Sequence, residues 1–557
     1  MLGFLLAETA RPKEAIRWFE TALALSPADP QALLGLAVVL YAVGDVVKMR
    51  LACESLVKIM PDSAEAWYHL ALSKLDCEMD SDLLNDVCRA LEFRPNYPLA
   101  LALKQNVCER LGRWQEAFDA AQKRCEASTG DVEAWIDLGR ILQIRGRPDE
   151  ALVVLEAALA IDPHSSKALF NKAMVLQSLS RPLEALIVAE KARCLKPTDR
   201  DLILIMANLH LDARHMVEAR DLYAHLAAQG PAQVLPARGA EPVARVAILL
   251  CPFIGNTPYE DLVKDTRYES RAFFMIPGIG EDLSGQMGEC DVIFNLISDA
   301  DLGSDIISQS KLLLDRMKLP IINDPNRLFQ TDRASISQRF AEYVGLIAPK
   351  TLRLEIGRKV EETGLTYPII GRTIGTHGGE QMQLLINDTE FDIFRQSVEG
   401  DCYITQYVDY VSSDGYFRKY RFIFIGDETY PYHLAIGDSW KVHHVTTRMA
   451  EHAWMRAEEH AFLKCPENVF PNKAMATLTA IRREIGLEYF GIDCALNSYG
   501  DVILFEVNAT MLVHVHNEGF EYKNPYVGKI KDAFERLIIS KAAINSLRPR
   551  RHDKQQR

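Results

Sequence analysis

In the first half of the chain, a pattern of apolar, small and helix-ending residues recurs every 34 residues. This pattern is typical of paired helices. Prolines mark this period, with one interval doubled where Thr129 replaces a proline: Pro27, Pro61, Pro95, Pro163, Pro197 and Pro231. A period kept over so many residues predicts stacked copies of one small structural unit.

Small residues keep the same phase as the prolines. They fall into two sets of alanines and one of glycines: Ala15, Ala117, Ala151, Ala185 and Ala219; Ala22, Ala90, Ala158 and Ala192; Gly44, Gly112 and Gly146. Alanine lets two antiparallel helices approach, glycine opens the turn between them, and proline ends the second helix. With Trp67-x-x-Leu70 and Trp135-x-x-Leu138-Gly139, the pattern resembles the tetratricopeptide repeat.

The resemblance implies an all-α tetratricopeptide-repeat solenoid over residues 1–231. Its first unit is truncated, because Met1 falls inside the first helix of that unit. Either the array lacks a cap or further repeats precede Met1. In both cases the apolar residues Leu2, Phe4 and Leu5 are expected to be exposed.

Arrays of this kind present a concave groove lined by the first helix of each repeat. The phase of the pattern predicts five side chains on that surface: Tyr68, Asn106, Arg140, Asn171 and Asn208. Asparagine amides can pair with the backbone of an extended peptide, so a peptide or protein bound by the groove is the expected partner. The alternative is that all five are ordinary polar positions on a solvated face.

The repeat pattern ends at a linker rich in glycine and proline, 232–242, and the sequence after it shows a different pattern of apolar residues. Apolar runs at 246–250, 290–297 and 319–324 predict buried parallel strands, and hence an α/β layer over 243–325. An α+β domain is predicted over 326–540, followed by a basic tail, 541–557. Its expected elements are a helix at 331–343, strands at 367–372, 403–408 and 420–425, and a hairpin formed by 490–496 and 502–507.

The hairpin carries the clearest chemistry. Asp493 lies on its first strand, and Glu506 and Asn508 lie on its second. Residues two apart on a strand share a face, so these three oxygen donors can point towards one place, which suits Mg²⁺. A carboxylate pair on strands can also be plain surface charge, but the flanking residues here are strongly apolar.

Three segments of the hairpin resemble the metal-binding signature of ATP-grasp ligases: Gly491-Ile492-Asp493, Gly500-Asp501-Val502 and Phe505-Glu506-Val507-Asn508. The resemblance implies an α/β pre-grasp layer followed by an ATP-grasp domain. It also implies that Asp493, Glu506 and Asn508 hold Mg²⁺ on the phosphates of ATP.

The same resemblance assigns roles to earlier segments. The strand and loop that contain Arg372, Gly375, Gly378 and Gly379 resemble the phosphate-covering loop, although a glycine-rich loop is also compatible with a simple turn. Arg333 and Arg372 stand where many members of the family have phosphate-contacting lysines. Arginine keeps the charge but changes the geometry, which leaves catalytic competence open.

Further roles follow from the resemblance for the adenine and substrate ends of the cleft. Gln406-Tyr407-Val408 resembles the hinge whose backbone reads adenine, with Asp409 or Asp414 near the ribose. Arg421 matches an arginine at the reacting phosphate or acyl group. His443 and His444 fall near the expected substrate end, unless they belong only to a polar loop.

The implied activity is that of an ATP-dependent, ADP-releasing carbon–nitrogen ligase acting through an acyl-phosphate, with ATP and Mg²⁺ as cofactors. The relatives that look most similar are the glutathione synthetase and ribosomal-protein glutamate ligase types. One alternative is a non-catalytic nucleotide-binding scaffold whose repeats mediate protein–protein interaction. A repeat-bearing glycosyltransferase is another, but it does not account for the Glu506-Val507-Asn508 hairpin.

Composition narrows these possibilities. A net charge of −13, with neither half basic, argues against a nucleic-acid partner; the basic run Arg548 to Arg551 is interpreted as a solvated tail. The 11 cysteines are dispersed without a Cys-x-x-Cys motif, as expected in a reducing compartment. No apolar run is long enough to cross a bilayer, and the first ten residues lack the basic start of a signal peptide. We therefore expect a cytoplasmic protein with no membrane partner.

Overall fold

The structure, a computed structural model, describes residues 11–75, 80–239, 241–254, 258–278, 283–375, 381–442, 447–515, 517 and 519–546. It divides into two compact units, Met1–Leu222 and Tyr223–Arg557. The sequence placed the end of the array at residue 231, whereas this division falls inside the last helix of the array.

The N-terminal unit is a succession of short helices that pack as neighbours in chain order. Their bounds are α1 Pro12–Leu25, α2 Pro30–Val43, α3 Val46–Ile59, α4 Ala64–Leu72, α5 Asp80–Phe93, α6 Pro98–Arg110, α7 Trp114–Ala127, α8 Val132–Ile144, α9 Pro148–Ile161, α10 Ser166–Ser178, α11 Pro182–Leu195, α12 Arg200–Asp212 and α13 Met216–Ala228. Helices α1 and α9 end two residues before Pro27 and Pro163, as the role of proline in the pattern predicts.

The periodic alanines lie where helices touch. Every member of the first alanine set is fully buried: Ala15, Ala117, Ala151, Ala185 and Ala219. At Gly139 an added Cβ would come within 2.7 Å of the Leu155 side chain, so α8 and α9 approach each other too closely for a larger residue. Small residues therefore set the spacing of the helix pairs, as the sequence pattern predicts.

One phase of the repeat requires a left-handed backbone. Gly44, Gly112 and Gly146 occupy it with φ of 77°, 69° and 68°. In the next two repeats Ser180 and Arg214 take the same place, with φ of 57° and 60°. The turn is thus kept even where the residue type that favours it is lost.

The C-terminal unit contains three sheets. Its strands are β1 Gln233–Leu235, β2 Arg245–Leu250, β3 Glu269–Phe274, β4 Val292–Asn295, β5 Ile321–Ile322, β6 Leu346–Ile347, β7 Thr351–Leu354, β8 Ile369–Thr373, β9 Met382–Leu385, β10 Cys402–Gln406, β11 Phe417–Ile425, β12 Glu428–Gly437, β13 Tyr489–Leu496 and β14 Val502–Asn508. Its α-helices are α14 Glu260–Val263, α15 Leu283–Gln286, α16 Ser304–Arg316, α17 Pro325–Leu328, α18 Arg333–Arg339, α19 Asp388–Gln396, α20 Ala453–Lys464, α21 Asn472–Ile485 and α22 Asn524–Ser546. Short 3-10 helices are Met287–Glu289, Val360–Thr363, Pro466–Asn468 and Glu521–Lys523.

The first sheet has the order β1-β3-β2-β4-β5, in which β2 to β5 are parallel and β1 is antiparallel. Strands β2, β4 and β5 correspond to the three predicted apolar runs. Strand β3 escaped prediction because its first half, Glu269 to Arg271, is polar. Strand β1 lies inside the segment interpreted as a linker.

The other two sheets are built mainly from antiparallel strands. The second has the order β7-β10-β8-β9, and the third has the order β12-β11-β13-β14-β6, with β6 parallel to β14. Some predicted bounds differ from the structure. The helix expected at 331–343 is limited to Arg333–Arg339, and α22 continues to Ser546, past the predicted start of the tail.

Asn323 ties the end of the first sheet to the third. It is fully buried with φ of 63°, and its amide donates to the carbonyls of Tyr489 and Ala509, both at 2.7 Å. Its side-chain oxygen accepts from the Tyr489 N–H at 3.0 Å. One side chain thus satisfies three buried backbone groups. Among the described residues, no helix has the length and apolar character needed to cross a membrane.

Candidate functional site

A cavity of about 140 Å³ lies between the second and third sheets, and we call it the central cavity. The second sheet contributes Thr351, Ile370, Arg372, Met382 and Thr405, and the third contributes Lys419, Asp493, Leu504, Phe505 and Glu506. Its lining includes apolar residues such as Ile370 and Leu504 as well as the charged Arg372, Lys419, Asp493 and Glu506. This combination suits a ligand with a flat apolar part and a charged part.

Four polar residues form a row across the third sheet. The strand register places His433 opposite Arg421, Arg421 opposite Asp493, and Asp493 opposite Glu506. Residues that are directly opposite in antiparallel strands lie on the same face, about 5 Å apart. This polar row therefore runs about 14 Å across the sheet, from β12 to β14. Register shifts occur beside Arg421 and beside Asp493, and such bulges re-aim side chains near sites.

Asp493 lies at the centre of the polar row and is 4% exposed. Its carboxylate accepts from Arg421 Nε at 2.6 Å and Nη2 at 3.0 Å, and Lys419 Nζ lies 3.1 Å away. Burial by itself would raise the pKa of Asp493, but these two cations outweigh it and hold that pKa far below its usual range. The carboxylate is therefore permanently ionised.

Glu506 is held by two arginines from outside its own sheet. Arg333 Nη2 donates to Glu506 Oε2 at 2.5 Å, and Arg372 Nη1 lies 3.8 Å from the same oxygen. Burial opposes ionisation, but the charge of Arg333 outweighs it and lowers the pKa of Glu506 to about 2. Burial and the neighbouring Arg333 lower the pKa of Arg372 to about 10. The two arginines that the resemblance placed on phosphates thus converge on one predicted metal ligand.

The three predicted metal ligands lie near one another but do not line one common space. Asp493 and Glu506 both line the central cavity, whereas Asn508 lines a separate cavity of about 290 Å³, which Glu506 also borders. We call this the Asn508 cavity. Carboxylate and amide oxygens suit Mg²⁺, so the donor chemistry fits. Within the described residues, no group of three or more His, Cys, Asp or Glu side chains is placed to hold a metal ion.

The predicted adenine hinge borders the central cavity, but part of its hydrogen-bonding capacity is used. The N–H of Gln406 donates to the Lys350 carbonyl at 2.8 Å, and the N–H of Tyr407 donates to the Pro368 carbonyl at 3.2 Å. The Gln406 side chain bonds to both backbone groups of Thr366. The N–H groups of Gln406 and Tyr407 are therefore already bonded within the protein, and adenine binding at this hinge stays a prediction.

The two carboxylates considered for the ribose have other roles. Asp409 is exposed at a turn, where it accepts from the Val411 N–H at 3.1 Å. Asp414 pairs with Arg418 at 2.7 Å and 2.9 Å. Local turn and ion-pair chemistry accounts for both, because short acidic side chains after a strand readily satisfy nearby backbone groups and cations.

The phosphate-loop prediction is described only at its start. Gly375 has φ of 74°, and a Cβ added there would collide with Leu302. Gly378 and Gly379 lie outside the described residues, as do His443 and His444. The loop and the histidines therefore stay predictions.

The five residues predicted for the groove differ in exposure and in the contacts that they make. Tyr68 packs on Tyr97 with ring centroids 5.3 Å apart, and Arg140 pairs with Glu109 at 2.7 Å. The other three are an exposed Asn106, a half-buried Asn208, and Asn171, whose amide donates to the Lys167 carbonyl of its own helix. Their role in peptide binding stays a prediction.

Sequence reasoning missed a third cavity, of about 240 Å³, at the β12 end of the polar row. We call it the His433 cavity; it is lined by Lys419, Arg421, His433, His514 and Lys523, among others. Glu459, from α20, is fully buried beneath His433. The available signal was weak: a histidine within an apolar strand, and a glutamate in the charged run Glu458-Glu459-His460.

Comparisons with known proteins identify the repeat. A family model described as Tetratricopeptide repeat matches residues 132–175, which cover α8, α9 and most of α10. The human Protein O-mannosyl-transferase TMTC1 (Homo sapiens) is 25% identical over 168 residues, which is 29% of this chain. The match spans 19% of the length of that relative.

Two solved structures are similar to the array. The crystal structure of YrrB, described as a TPR protein with an unusual peptide-binding site, is 21% identical with a TM-score of 0.31, covering 36% of this chain and 98% of that one. The crystal structure of MamA is 22% identical with a TM-score of 0.28, covering 30% and 98%. On the family match and the periodic helix pairs, the N-terminal region of this chain consists of tetratricopeptide repeats.

Proposed function

We propose that the C-terminal unit is an ATP-grasp ligase that joins a carboxylate to an amine through an acyl-phosphate and releases ADP. One observation carries the proposal. Two ionised carboxylates, Asp493 and Glu506, share the wall of the central cavity with Arg372, Arg333, Lys419 and several apolar residues. Paired carboxylates and convergent cations are what a triphosphate with its metal ion requires.

The cations have a second use when a nucleotide binds. Phosphate oxygens accept bidentate hydrogen bonds from guanidinium groups as readily as carboxylates do. Arg333 and Arg372 could therefore turn from Glu506 to phosphate, which would free the carboxylate for Mg²⁺. Held by Asp493 and Glu506, Mg²⁺ would neutralise phosphate charge during transfer.

In the proposed reaction the protein binds and orients more than it reacts. The substrate carboxylate attacks the γ-phosphorus of ATP, and the pair of electrons from the broken bond leaves on ADP. Arg372 and Arg333 stabilise the charge that builds on the transferred group, since they are fixed before the reaction begins. Arg421, which faces the His433 cavity, is placed to hold the acyl-phosphate for attack by the amine.

In this scheme the repeat array is the part of the chain that can hold a large substrate. Tetratricopeptide repeats are consistent with binding peptide or protein partners. We propose that the array recruits the peptide or protein that the C-terminal unit modifies. A cytoplasmic location fits this role and stays part of the proposal.

A non-catalytic nucleotide-binding scaffold is the second candidate, and one observation favours it. Both predicted metal-binding carboxylates are already paired with cations: Asp493 with Arg421 and Lys419, and Glu506 with Arg333. If those pairs persist with nucleotide bound, Mg²⁺ has no free carboxylate to bind. ATP would then be held without transfer.

Variants of Arg372 in the full-length chain test the proposal. Arg372→Ala is expected to weaken Mg·ATP binding by at least about 30-fold, as when one partner of a buried charge pair is truncated, whereas Arg372→Lys keeps part of the affinity. Binding is measured by calorimetry, and ADP release with a panel of amino acids and peptides. Arg353→Ala is the matched control, because Arg353 lies in the same sheet on β7 with its side chain 55% exposed.

Each result has a distinct meaning. Affinity that does not respond to Arg372→Ala contradicts the placement of phosphates in the central cavity. Tight Mg·ATP binding without ADP release under any substrate pair supports the scaffold instead. Glu506→Gln separates the two further, since it should abolish turnover in a ligase and leave metal-independent nucleotide binding intact in a scaffold.

A further inference from the structure

The His433 cavity lies at the far end of the polar row from Glu506, and it shares Asp493 and Lys419 with the central cavity. His433 and Arg421 occupy opposite positions on β12 and β11, and both side chains line the cavity. Arg421 in turn pairs with Asp493, which borders the central cavity as well. The two cavities are thus connected through one arginine and one carboxylate.

Glu459 fixes the state of the His433 ring. Its carboxylate is fully buried and accepts from the Tyr522 hydroxyl at 2.5 Å and from the Leu434 N–H at 3.2 Å, with Lys523 Nζ 3.3 Å away. Burial opposes ionisation, but the hydrogen bond from His433 and the nearby charges outweigh it and lower the pKa of Glu459 to about 2. An ionised carboxylate can only accept hydrogen bonds.

His433 Nδ1 is in direct contact with that carboxylate. The proton of the neutral imidazole must therefore sit on Nδ1, which donates to Glu459 and leaves the lone pair on Nε2. Lys523 Nζ also lies 3.1 Å from Nδ1, but its ammonium finds the stronger, charge-assisted acceptor in Glu459. This is the arrangement in which a carboxylate orients a histidine for proton transfer.

The second ring nitrogen points to a ligand. Nε2 of His433 is buried and has no hydrogen-bond partner among the residues that the structure describes. An unsatisfied buried acceptor is costly, so its retention in a residue that lines a cavity indicates a donor that arrives from outside. Burial, and then the charge of Lys523, lower the pKa of His433 to about 4, so the ring is neutral at physiological pH.

We propose that the His433 cavity receives the amine substrate and that His433 Nε2 is the general base that takes a proton from it. This inference rests on the proposed ligase function and extends it to the second substrate. Glu459 is a positioning residue, because it acts on the amine only through the ring of His433.

The step balances as follows. The amine lone pair attacks the acyl carbon and forms the C–N bond, while the C–O bond to phosphate breaks and its electron pair leaves on phosphate. One N–H proton passes to Nε2 of His433 and then to water in the cavity. The charged and titratable groups of the cavity are Arg421, Lys419, Lys523, His514 and Asp493, with Glu459 against the ring. Burial and Lys523 outweigh Glu459, so that the imidazolium is disfavoured and the proton is passed on.

The same cations select the form of the amine. The cavity lining carries three cations, Arg421, Lys419 and Lys523, and one carboxylate, Asp493, which is already paired with Arg421 and Lys419. The excess of positive charge lowers the pKa of an amine that binds there. The neutral amine therefore enters more readily, and it is the form that can attack. The cavity thus favours a primary amine, such as the amino group of an amino acid or peptide.

The central test compares two nucleophiles in the full-length chain. Hydroxylamine is unprotonated near neutral pH and attacks an acyl-phosphate without a base, whereas an ordinary amine needs one. With Mg·ATP and a panel of amino acids and dipeptides, His433→Gln is expected to slow amide formation about 100-fold or more and to leave hydroxamate formation within a few-fold of wild type. His460→Gln is the matched control, an exposed histidine on the same helix as Glu459.

The possible outcomes distinguish failure of the general-base proposal from failure of the ligase proposal. Wild-type protein that forms neither amide nor hydroxamate contradicts the ligase, and with it the base. Wild-type activity that His433→Gln leaves unchanged contradicts the base alone. An equal fall in amide and hydroxamate formation makes His433 structural, which also overturns the inference.

A second measurement needs no substrate. Nitrogen-15 NMR of the histidine-labelled full-length chain, assigned with His433→Gln, should show His433 neutral with its proton on Nδ1 down to about pH 5, since its pKa is lowered to about 4. Because the lowered pKa keeps Nε2 unprotonated, amide formation at saturating amine should lose rate through protonation of His433 only as the pH falls towards that value. A proton on Nε2, or a pKa above 7, overturns the assignment.

Discussion

Both units contain ion pairs between arginine and a carboxylate, but these pairs are exposed and local in the array and largely buried and long-range in the C-terminal unit. In the repeat array, an arginine and a glutamate three residues later pair on the surface at one phase of the repeat: Arg11–Glu14, Arg113–Glu116, Arg147–Glu150 and Arg181–Glu184. In the C-terminal unit, Arg421 pairs with Asp493 and Arg333 with Glu506, across 72 and 173 residues of chain and largely out of solvent.

This difference in burial determines how much the loss of one ion pair is expected to affect the stability of each unit. Exposed pairs contribute about 0–1 kcal/mol, and four repeats each have a copy, so loss of one is tolerated. Buried pairs are unique, and removing one partner leaves a charge that water cannot reach. A single ion pair is therefore dispensable in the array, whereas each buried pair of the C-terminal unit is expected to matter for stability.

The largest expected effect comes from breaking a buried pair. Arg421→Ala should destabilise the C-terminal unit by about 3–5 kcal/mol, because Asp493 stays buried with only Lys419 as a partner. Urea unfolding of the full-length chain, followed by hydrogen exchange over β13, measures it. The matched change in the array, Arg147→Ala, should cost at most about 0.5 kcal/mol.

A double variant identifies the cause of that loss. Arg421→Ala with Asp493→Asn should recover part of the stability, since the charge that lost its partner is gone. A double variant as unstable as the sum of the single ones would show that Arg421 acts by packing rather than by charge.

An intermediate effect is expected at Asn323, which has the same left-handed backbone as the turns of the array. Asn323→Gly removes the backbone strain of about 1 kcal/mol but leaves the buried polar groups of Tyr489 and Ala509 unsatisfied, at about 1–3 kcal/mol each. We expect a net loss of about 2–4 kcal/mol in urea unfolding. A stability equal to wild type would mean that water replaces the amide.

The smallest effect has the opposite sign. Ser180 adopts φ of 57° at an exposed turn of the array, where glycine stands in other repeats. Ser180→Gly should therefore raise the stability of the array by up to about 1 kcal/mol, because the strain is removed and no long-range bond is lost. A lower urea midpoint for this variant would show that the serine side chain contributes a contact of its own.

Local and periodic features were accessible from the sequence alone. The prolines, alanines and glycines predicted the helix pairs of the array, because their effects on the backbone act within one turn. Two apolar runs on either side of the turn at Asn497 to Gly500 likewise predicted the β13–β14 hairpin, with Asp493 on its first strand and Glu506 on its second. Strand β3 and the bounds of α18 were missed, since polar residues mask the pattern there.

What the tertiary structure decided is which distant side chains meet. No pattern along the chain places Arg333 on Glu506, puts Asn508 in a different cavity from Asp493, or brings Glu459 beneath His433. Strand alternation specifies the face on which a residue lies, but the neighbours on that face depend on register and on elements packed from far along the chain. Burial then turns those neighbours into strong partners, because charges out of water interact more strongly than the same charges on the surface.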